Sequence, residues 1–400
     1  MHVLVACHAW YGDLIGGSFR LASELAAFLA ERGHRVSFVC CAQPTAGGAP
    51  IEDVRDRLRL FRYPAPDGSM NRFGRLRYHV AQTHRLTNQI NRDCRVDAAS
   101  LHSPLQGLGA AKALRGTRAF LNYTVHSPFD DELLSNHCGT PGIVHRLAAR
   151  IGRRIDGRNV RLADRIQTDS QFTMDVFHRR HGRSAMIQKG IVASGWVDTE
   201  RFRPFVDRRC LRQELWPEIS ADVPLFFTLR RLEQRMGLDT LVDACCRLKD
   251  EGLSFRVLIG GSGSLREGLQ WRIDKADLRK HVQLLGRLPE EDLPKAYAAA
   301  DCFVLPTRAL ECFGLIVLEA FACDTPVIAS DVAAIPELAG RQGAEWLFTA
   351  DSVEELAGRM RAFVMKQLQP TVDLRSVAEE FSRDAVLPRW EALLTATGVP

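Results

Sequence analysis

The sequence predicts an α/β protein of two tandem Rossmann-like domains, each built on a doubly wound parallel sheet. Short apolar runs bounded by turn residues alternate with helical patterns almost throughout the 400 residues. Most of these runs are apolar at every position, as strands are when helices cover both faces of a parallel sheet. The runs form two successive series, and a prior of ~150 residues per domain agrees with two or three domains.

The first series predicts a domain over residues 1–203. A helical pattern at Ser18–Arg32 follows the first strand and places Leu21 and Leu25 on one face. The predicted strands are Val3–Cys7, Val36–Cys41, Ala98–His102, Ala119–His126 and Arg165–Thr168.

The second series predicts a domain over residues 204–375. The boundary is placed near Pro204, where a polar run separates the two series. Residues 376–400 are expected to form an amphipathic helix, about Val377–Thr395, which packs back toward the first domain. The predicted strands are Leu225–Leu229, Phe255–Ile259, Val282–Leu285, Cys302–Pro306 and Pro326–Ser330.

Composition excludes several classes of protein. With 46% hydrophobic and 25% charged residues, the chain is typical of globular rather than disordered proteins. The sequence contains no stretch of ~18 uncharged apolar residues, so it predicts no membrane-spanning helix. The eleven cysteines include no C-x-x-C pair, and most lie in apolar runs, which favours reduced, buried thiols over disulfides or zinc. The first residues predict a strand rather than a signal peptide, so we expect a cytoplasmic protein.

The positive charge is concentrated in the first half. Residues 1–200 carry 27 Lys and Arg against 18 Asp and Glu, whereas residues 201–400 carry 26 against 30. Between positions 146 and 165 arginines recur every three or four residues beside an apolar stripe, which predicts an amphipathic helix with an arginine face. Such a face could contact an anionic membrane surface or a lipid phosphate. The alternative is a solvated helix whose arginines pair with Asp156 and Asp164. No aromatic-basic platform accompanies these charges, so nucleic acid is not expected as a partner.

Two glycine loops follow predicted strands, where ligands bind in doubly wound sheets. Gly16 and Gly17 open the first helix, and Gly261 and Gly263 lie in the segment Gly-Gly-Ser-Gly-Ser after Phe255–Ile259. Glycine lets a ligand approach the backbone, and a helix N-terminus favours anions. The alternative for each loop is a plain turn, because neither completes a dinucleotide fingerprint.

Three arginines follow strand Leu225–Leu229 in the sequence Arg230-Arg231-Leu-Glu-Gln-Arg235. Guanidinium groups at a strand end can clamp a diphosphate through paired hydrogen bonds. The alternative is a solvated loop.

A second polar motif brackets an apolar run. Glu311 and Glu319 stand eight residues apart around Cys-Phe-Gly-Leu-Ile-Val-Leu, which predicts a buried Glu319 on a helix. A buried carboxylate needs hydrogen-bond donors, which sugar or ribose hydroxyls would supply. The alternatives are a helix cap or a pair with one arginine.

Two histidines end strands of the first domain. His126 follows Asn-Tyr-Thr-Val, and His102 precedes Ser-Pro. A histidine at a strand end can accept a proton or hold a hydroxyl, although a lone histidine is more often structural.

Taken in order, these motifs resemble the GT-B-fold glycosyltransferases of glycosyltransferase family four, which are retaining enzymes that use nucleotide sugars. The resemblance spans nearly the whole chain. It is carried by Gly16-Gly17, Ile191–Asp198 with Phe202-Arg-Pro204, Leu229–Leu232, Ile259–Gly263, Leu285–Arg287, Ala299–Pro306, Glu311–Glu319, and Thr325–Asp331 with Ile335-Pro-Glu337.

The resemblance implies roles for individual residues. Glu311 would contact hydroxyls of the transferred sugar, and Glu319 would hold the ribose. Arg231 would neutralise the leaving diphosphate, with Arg235 as the second cation, and His126 would lie near the reacting centre. The remaining implied donor contacts are Gly16, Gly17, Gly261, Gly263, Arg287, Phe313, Gly314 and Leu315.

The resemblance also implies a reaction. A hexose or N-acetylhexosamine would move from a UDP- or GDP-sugar to a glycan, glycolipid or small-molecule acceptor, without a tightly bound metal or other cofactor. The two domains would close on the donor and exclude water. The alternatives are a non-catalytic partner of such an enzyme and a sugar-nucleotide epimerase.

Several positions depart from the family pattern, among them Ala333-Ala334, which replace a common Gly pair. Arg230 stands where the family usually has Gly, Met236 stands where it usually has Lys, and Asp324 replaces the Gly of an Ala-Cys-Gly-Thr-Pro segment. Methionine cannot bind phosphate, which is why Arg235 is assigned as the second cation.

Overall fold

The computed structural model describes residues 1–43, 49–135, 142–182 and 188–395. It divides into two compact units. The first unit is Met1–Leu134, Thr140–Gly195 and Val386–Pro400, and the second is Ser135–Gly139 and Trp196–Ala385. The division therefore falls after Gly195, eight residues before the end of the domain predicted over 1–203.

The first unit is built on one sheet. Within the described residues its order is β3-β4-β2-β1-β5-β6-β7-β8, and every pairing is parallel except that of β3 with β4. The strands are β1 (His2–Ala6), β2 (Arg35–Cys41), β3 (Ile51–Arg55), β4 (Leu58–Tyr63), β5 (Ala98–Leu101), β6 (Phe120–Val125), β7 (Arg165–Thr168) and β8 (Gly190–Val192). The helices are α1 (Gly17–Glu31), α2 (Arg72–Asp93), α3 (Pro104–Ala113), α4 (Phe129–Ser135), α5 (Ile143–Leu162) and α6 (Gln171–His181).

The second unit has a wholly parallel sheet in the order β11-β10-β9-β12-β13-β14 over its described residues. The strands are β9 (Leu225–Leu229), β10 (Arg256–Gly260), β11 (Val282–Gly286), β12 (Cys302–Leu305), β13 (Val327–Ser330) and β14 (Leu347–Phe348). The helices are α7 (Arg208–Leu215), α8 (Leu238–Asp250), α9 (Arg266–Lys275), α10 (Leu293–Ala299), α11 (Leu315–Ala322), α12 (Ile335–Ala339), α13 (Val353–Val364), α14 (Leu374–Glu379) and α15 (Arg383–Thr395).

Alternate residues of the second sheet enter different cores. Phe227 and Phe303 belong to one apolar cluster, whereas Phe226 and Val304 belong to another. Successive side chains of a strand point to opposite faces, so both faces of this sheet are buried under helices. The doubly wound parallel architecture predicted from continuous apolar runs is confirmed.

The ten predicted strands are all present, and no end differs from its prediction by more than one residue, but β3, β4, β8 and β14 were not predicted. Arginines interrupt β4, and Arg62 pairs with Asp13 at 2.7 Å and with Glu52 at 2.5 Å. Arg59 likewise pairs with Asp53 at 2.5 Å. Part of the positive charge of the first half is therefore neutralised within this hairpin.

The predicted C-terminal helix Val377–Thr395 is two helices, α14 and α15, separated at residues 380–382. The hydroxyl of Ser382 accepts a hydrogen bond from the backbone N–H of Ala385, which caps the start of α15. From Val386 onward α15 counts with the first unit, where the indole N–H of Trp390 donates to the carbonyl of Ser194 at 2.9 Å. Residues 396–400 of the predicted segment lie outside the described residues.

Candidate active site

The arginine loop after β9 is the most strongly charged part of the second unit. Arg230 is nearly buried and donates to the Glu311 carboxylate at 2.8 Å and to the Thr307 hydroxyl at 2.9 Å. Arg231 is exposed and has no ion-pair partner among the described residues. The sequence identified Arg231 and Glu311 as site residues but did not find that Arg230 holds Glu311.

Arg235 lies beside this pair. Its guanidinium donates to the carbonyl of Leu310 at 3.0 Å, next to Glu311. Burial, and then the neighbouring charges of Arg230 and Arg231, lower the pKa of the Arg235 guanidinium. The charges of Arg230 and Arg231 therefore both act on Arg235, and Glu311 is paired with Arg230, so an anion would stabilise this group of arginines.

Met236 does not face this cluster. Its side chain is buried in the core that packs on helix α8. Gly237, which follows it, has φ of +66°, and a Cβ there would come within 1.8 Å of the carbonyl oxygen of Pro306. The tight turn over Gln234–Met236 thus directs Arg235 and Met236 to different environments.

Gly261 and Gly263 let one loop pack on another. A Cβ at Gly261 would lie 1.8 Å from the carbonyl oxygen of Arg230, and one at Gly263 would lie 2.4 Å from that of Leu232. The two loops are joined by backbone hydrogen bonds, such as Leu232 N–H to the Ser262 carbonyl at 2.9 Å. Both glycines therefore position the arginine loop, and a direct contact with a ligand stays a prediction.

Helix α11 begins just after Glu311. Gly314 caps it with φ of +93°, a conformation that favours glycine, and Leu315 is its first residue. Phe313 is buried and packs against the ring of Phe381. The free backbone N–H groups at this helix start fit the implied phosphate contacts of Phe313, Gly314 and Leu315.

Glu319 is buried on α11, as the sequence predicts. One of its carboxylate oxygens accepts a hydrogen bond from the Tyr297 hydroxyl of α10 at 2.9 Å. Burial, and then the charge of Glu319, raise the pKa of the Tyr297 hydroxyl, so it remains a donor. No sequence pattern identified Tyr297, because it lies on another helix. Arg287 is exposed, just after β11.

Asp324 occupies a backbone conformation that explains why glycine is usual there. Its φ is +55°, two residues after the end of α11. Glycine and, less readily, Asp and Asn adopt this left-handed conformation at helix ends. The carbonyl of Asp324 also accepts a hydrogen bond from Arg208 at 2.9 Å.

The first unit contains a hydrogen-bonded chain of polar side chains. His126 Nδ1 lies 2.8 Å from the Asp169 carboxylate, and His126 Nε2 lies 2.9 Å from His102 Nδ1. His102 Nε2 lies 2.9 Å from the Ser100 hydroxyl. Burial, and then the charge of His126, lower the pKa of His102, which is therefore neutral at pH 7. Neither Asp169 nor Ser100 was identified from the sequence.

This chain borders a small cavity and is covered by the last helix. The indole of Trp390 stacks on His102, with ring centroids 5.9 Å apart. A cavity of about 200 Å³ is lined by His126, by Glu132, and by Ser18 and Phe19 of α1. The structure thus brings the helix start at Gly16 and Gly17 and the histidine His126 to one place. A Cβ at Gly16 would lie 2.9 Å from the Phe19 ring.

The described residues contain no cluster of three or more His, Cys, Asp or Glu side chains that could hold a metal ion. No helix within them is both long and apolar enough to cross a bilayer. Independence of a metal or cofactor stays a prediction.

The two sheets define a class of protein, the GT-B-fold proteins. Sucrose-phosphate synthase from Thermosynechococcus elongatus matches with a TM-score of 0.80 at 19% identity, over 98% of this chain and 97% of that one. An Anabaena protein solved in complex with UDP and glucose matches with a TM-score of 0.74 at 19% identity, over 98% of this chain and 99% of that one. At such identities the likeness shows the fold.

The family follows from the sequence. The model of "Glycosyltransferase Family 4" matches residues 15–201, and that of "Glycosyl transferases group 1" matches residues 216–382. The chain belongs to glycosyltransferase family 4, which confirms the resemblance.

Curated relatives match over part of their length. A GDP-mannose-dependent alpha-(1-6)-phosphatidylinositol monomannoside mannosyltransferase of Mycolicibacterium smegmatis is 33% identical over 189 residues, 45% of this chain and 48% of the relative. D-inositol 3-phosphate glycosyltransferase of Segniliparus rotundus is 29% identical over 248 residues, 61% of this chain and 53% of the relative. The chain spans about half the length of these relatives.

Proposed function

We propose that this protein transfers a hexose or N-acetylhexosamine unit from a UDP- or GDP-sugar to an acceptor hydroxyl, with retention of anomeric configuration. The acceptor belongs to a cell-envelope glycan, a glycolipid or a natural-product glycoside. The observation that carries the proposal is the cluster of Arg230, Arg231 and Arg235 beside Glu311, because it combines a binding place for a diphosphate with a carboxylate for sugar hydroxyls.

The charges support a donor of this kind. Arg230 is already paired with Glu311, whereas Arg231 and Arg235 have no carboxylate partner among the described residues. A diphosphate would supply the missing negative charge, and the N-terminus of α11 would add backbone donors. Arg230 donates to Oε2 of Glu311, and among the described residues no other side chain binds this carboxylate, so we assign its Oε1 to a sugar hydroxyl.

Glu319 supports recognition of the ribose. Its carboxylate accepts a hydrogen bond from Tyr297, and because a carboxylate has about four acceptor sites, we assign Glu319 to the ribose hydroxyls as well. Arg287, Gly261 and Gly263 complete the proposed donor contacts in the second unit. In the first unit, Gly16 and Gly17 are assigned to the phosphates of the donor, and His126 is assigned to the reacting centre.

The chemistry follows from charge development. As the glycosidic bond breaks, negative charge grows on the departing diphosphate, and Arg231 and Arg235 stabilise it. The acceptor hydroxyl attacks the same face of the sugar, and the diphosphate oxygen takes its proton. No side chain needs to act as the base in this scheme.

The names of similar proteins support the substrate classes. They include mannosyltransferases that depend on GDP-mannose and act on a phosphatidylinositol mannoside, and an Anabaena structure in complex with UDP-glucose. Both UDP- and GDP-sugars therefore belong in the donor screen.

The test is nucleotide release. The full chain is incubated singly with UDP- and GDP-sugars, and slow release of free UDP or GDP by hydrolysis is measured. We expect release with one donor, and a loss on the order of 100-fold in the Arg231→Ala and Glu311→Ala variants, because each removes a contact to developing charge or to the sugar. Arg279→Ala, which removes an exposed arginine that pairs with Asp274 and lies outside the proposed donor contacts, is the matched control. Full release by either site variant would contradict the assignments.

A non-catalytic partner subunit is the second candidate, and the buried Met236 favours it, because the family usually carries Lys there. A non-catalytic partner would bind a donor but would release no free UDP or GDP from any donor in the screen. An epimerase would instead convert the sugar nucleotide into its isomer.

A further inference from the structure

A groove with an apolar floor and a cationic rim lies on the first unit, between helices that carry none of the residues of the histidine chain. It is a cavity of about 600 Å³ between helices α2, α3 and α5. That volume lies within the range of roughly 300–1,000 Å³ that is usual for ligand sites. We call it the basic groove, and define it by Phe73, Arg77 and Val80 of α2, Leu108 and Lys112 of α3, and Ile151, Ile155 and Arg158 of α5.

The groove is formed by the packing of its three helices. A Cβ at Gly109 of α3 would lie only 2.6 Å from the Val80 carbonyl oxygen, so this glycine lets α2 pack tightly on α3. Leu108 and Ile155 are buried in its floor, at 3% and 7% exposure. Phe73 remains 43% exposed at the rim, where it offers apolar surface to an occupant.

The rim carries one cation from each helix. Arg77, Lys112 and Arg158 are exposed, and none has an ion-pair partner among the described residues. No acidic side chain lines the groove. An occupant that is apolar along its length and negatively charged at its end would satisfy both the floor and the rim.

Asp156 and Asp164, the two acids that the sequence offers as partners for the arginine face of α5, have other partners. The Asp156 carboxylate accepts from the Tyr123 hydroxyl at 2.8 Å and from the Phe129 backbone N–H at 2.9 Å. Asp164 accepts from the Leu121 backbone N–H at 2.9 Å. The alternative in which these two acids pair with the arginine face of α5 is therefore wrong.

The apolar stripe continues along α5 beyond the groove. Leu147 precedes Ile151 by one helical turn and is 47% exposed, and Val144 and Ile143 before it are 63% and 87% exposed. Exposed Arg146, Arg150 and Arg154 lie beside this stripe. A helix with this composition lies in the interface of an anionic membrane, with its apolar residues among the acyl chains.

We propose that the basic groove binds one acyl chain of an anionic phospholipid in a bilayer, with the lipid phosphate held by Arg77, Lys112 and Arg158, while the exposed start of α5 enters the membrane interface. The proposal concerns binding, so it stands or falls separately from sugar transfer.

The experiment is sedimentation of the full chain with vesicles. One set is neutral phosphatidylcholine, and the other contains about 30 mol% phosphatidylglycerol. We expect sedimentation only with the anionic set, and its loss at high salt. Each basic residue at a membrane surface contributes about fivefold in partitioning, so replacing Arg77, Lys112 and Arg158 together by Gln should weaken it roughly 100-fold.

The matched control replaces three exposed arginines that lie outside the groove, Arg92, Arg115 and Arg118, by Gln, which removes the same charge. It should lose less than tenfold. Equal losses of vesicle binding in the two triple variants would overturn the proposal. So would equal sedimentation with neutral and anionic vesicles, or no sedimentation with either set.

A second measurement reports on the acyl chain itself. In a Phe73→Trp variant, vesicles with acyl chains brominated near the headgroup should quench the additional tryptophan fluorescence, relative to the unchanged protein. Sedimentation without such quenching would place the lipid elsewhere. Dimers seen by light scattering that a Phe73→Ser variant abolishes would show that a second copy of the chain occupies the groove, and would also overturn the proposal.

Discussion

Replacing Arg230 by Met tests whether this arginine holds Glu311. The substitution keeps an apolar stem of similar length and removes the guanidinium that lies 2.8 Å from the carboxylate. The two side chains are 8% and 19% exposed, so the pair is largely desolvated. We expect Glu311 to be left as an uncompensated charge and the second unit to become less stable.

The magnitude follows from two opposing effects. Removing one partner of a buried ion pair costs about 3–5 kcal/mol, and the partial exposure of Glu311 favours the lower end. The Nε atom of Arg230 has no hydrogen-bond partner in the described structure, so losing this buried donor returns about 1 kcal/mol. The net cost is about 2 kcal/mol, which lowers Tm by about 4–8 °C for a domain of this size.

The assay is scanning calorimetry of the transition that belongs to the second unit. Arg231→Met is the matched control and should lower Tm by less than about 2 °C, because Arg231 is exposed and unpaired among the described residues. Adding Glu311→Gln to Arg230→Met should recover about half of the loss, since it removes the orphaned charge. A shift below 2 °C for Arg230→Met, or strictly additive effects, would refute the reasoning.

Three further predictions concern single side chains. Tyr297→Phe should cost about 2 kcal/mol in urea unfolding, because the buried Glu319 carboxylate loses a hydrogen bond, and an unchanged midpoint would contradict that role. Asp324→Gly should stabilise by about 0.5 kcal/mol and Asp324→Ala should destabilise, since φ is +55°; the reverse order in thermal unfolding would show that the backbone is not limiting. Burial raises the pKa of Asp156 from 3.8 to about 7, so the folded state binds this proton more tightly than the unfolded state. Its stabilising contribution is complete below pH 3.8 and is lost as pH rises through 7, and Asp156→Asn should flatten this part of the stability–pH curve; an unchanged slope would argue against it.

The sequence predicted the sheets well because their signal is local. A buried strand such as Cys302–Leu305 is apolar at every position, and this can be recognised without knowing its neighbours. Leu58–Tyr63 was missed because arginines alternate with apolar residues there, and their carboxylate partners lie on other segments. The pairing of β3 with β4 places Asp53 opposite Arg59, and no local pattern in the sequence predicts that pairing.

The candidate site was predicted in part, for a similar reason. Glu311, Glu319 and Arg231 belong to motifs that are contiguous in sequence, whereas the pairs Arg230–Glu311 and Tyr297–Glu319 join distant segments. Side chains from separate elements meet only through the strand order. The contact of His102 with His126 is the exception, since both follow strands that are neighbours in the sheet, and adjacency of β5 and β6 would have predicted it.

The position of Trp390 has a consequence for how the chain is made. Its ring covers His102, and residues 386–395 count with a unit that otherwise ends at Gly195. Domains generally fold in order as they leave the ribosome, from the N-terminus onward. Here the first unit lacks its last helix until the residues of the second unit have been synthesised, so it stays incomplete while the second unit emerges. A fragment that ends before Trp390 would therefore leave the pair of His102 and His126 uncovered, however long it is given to fold.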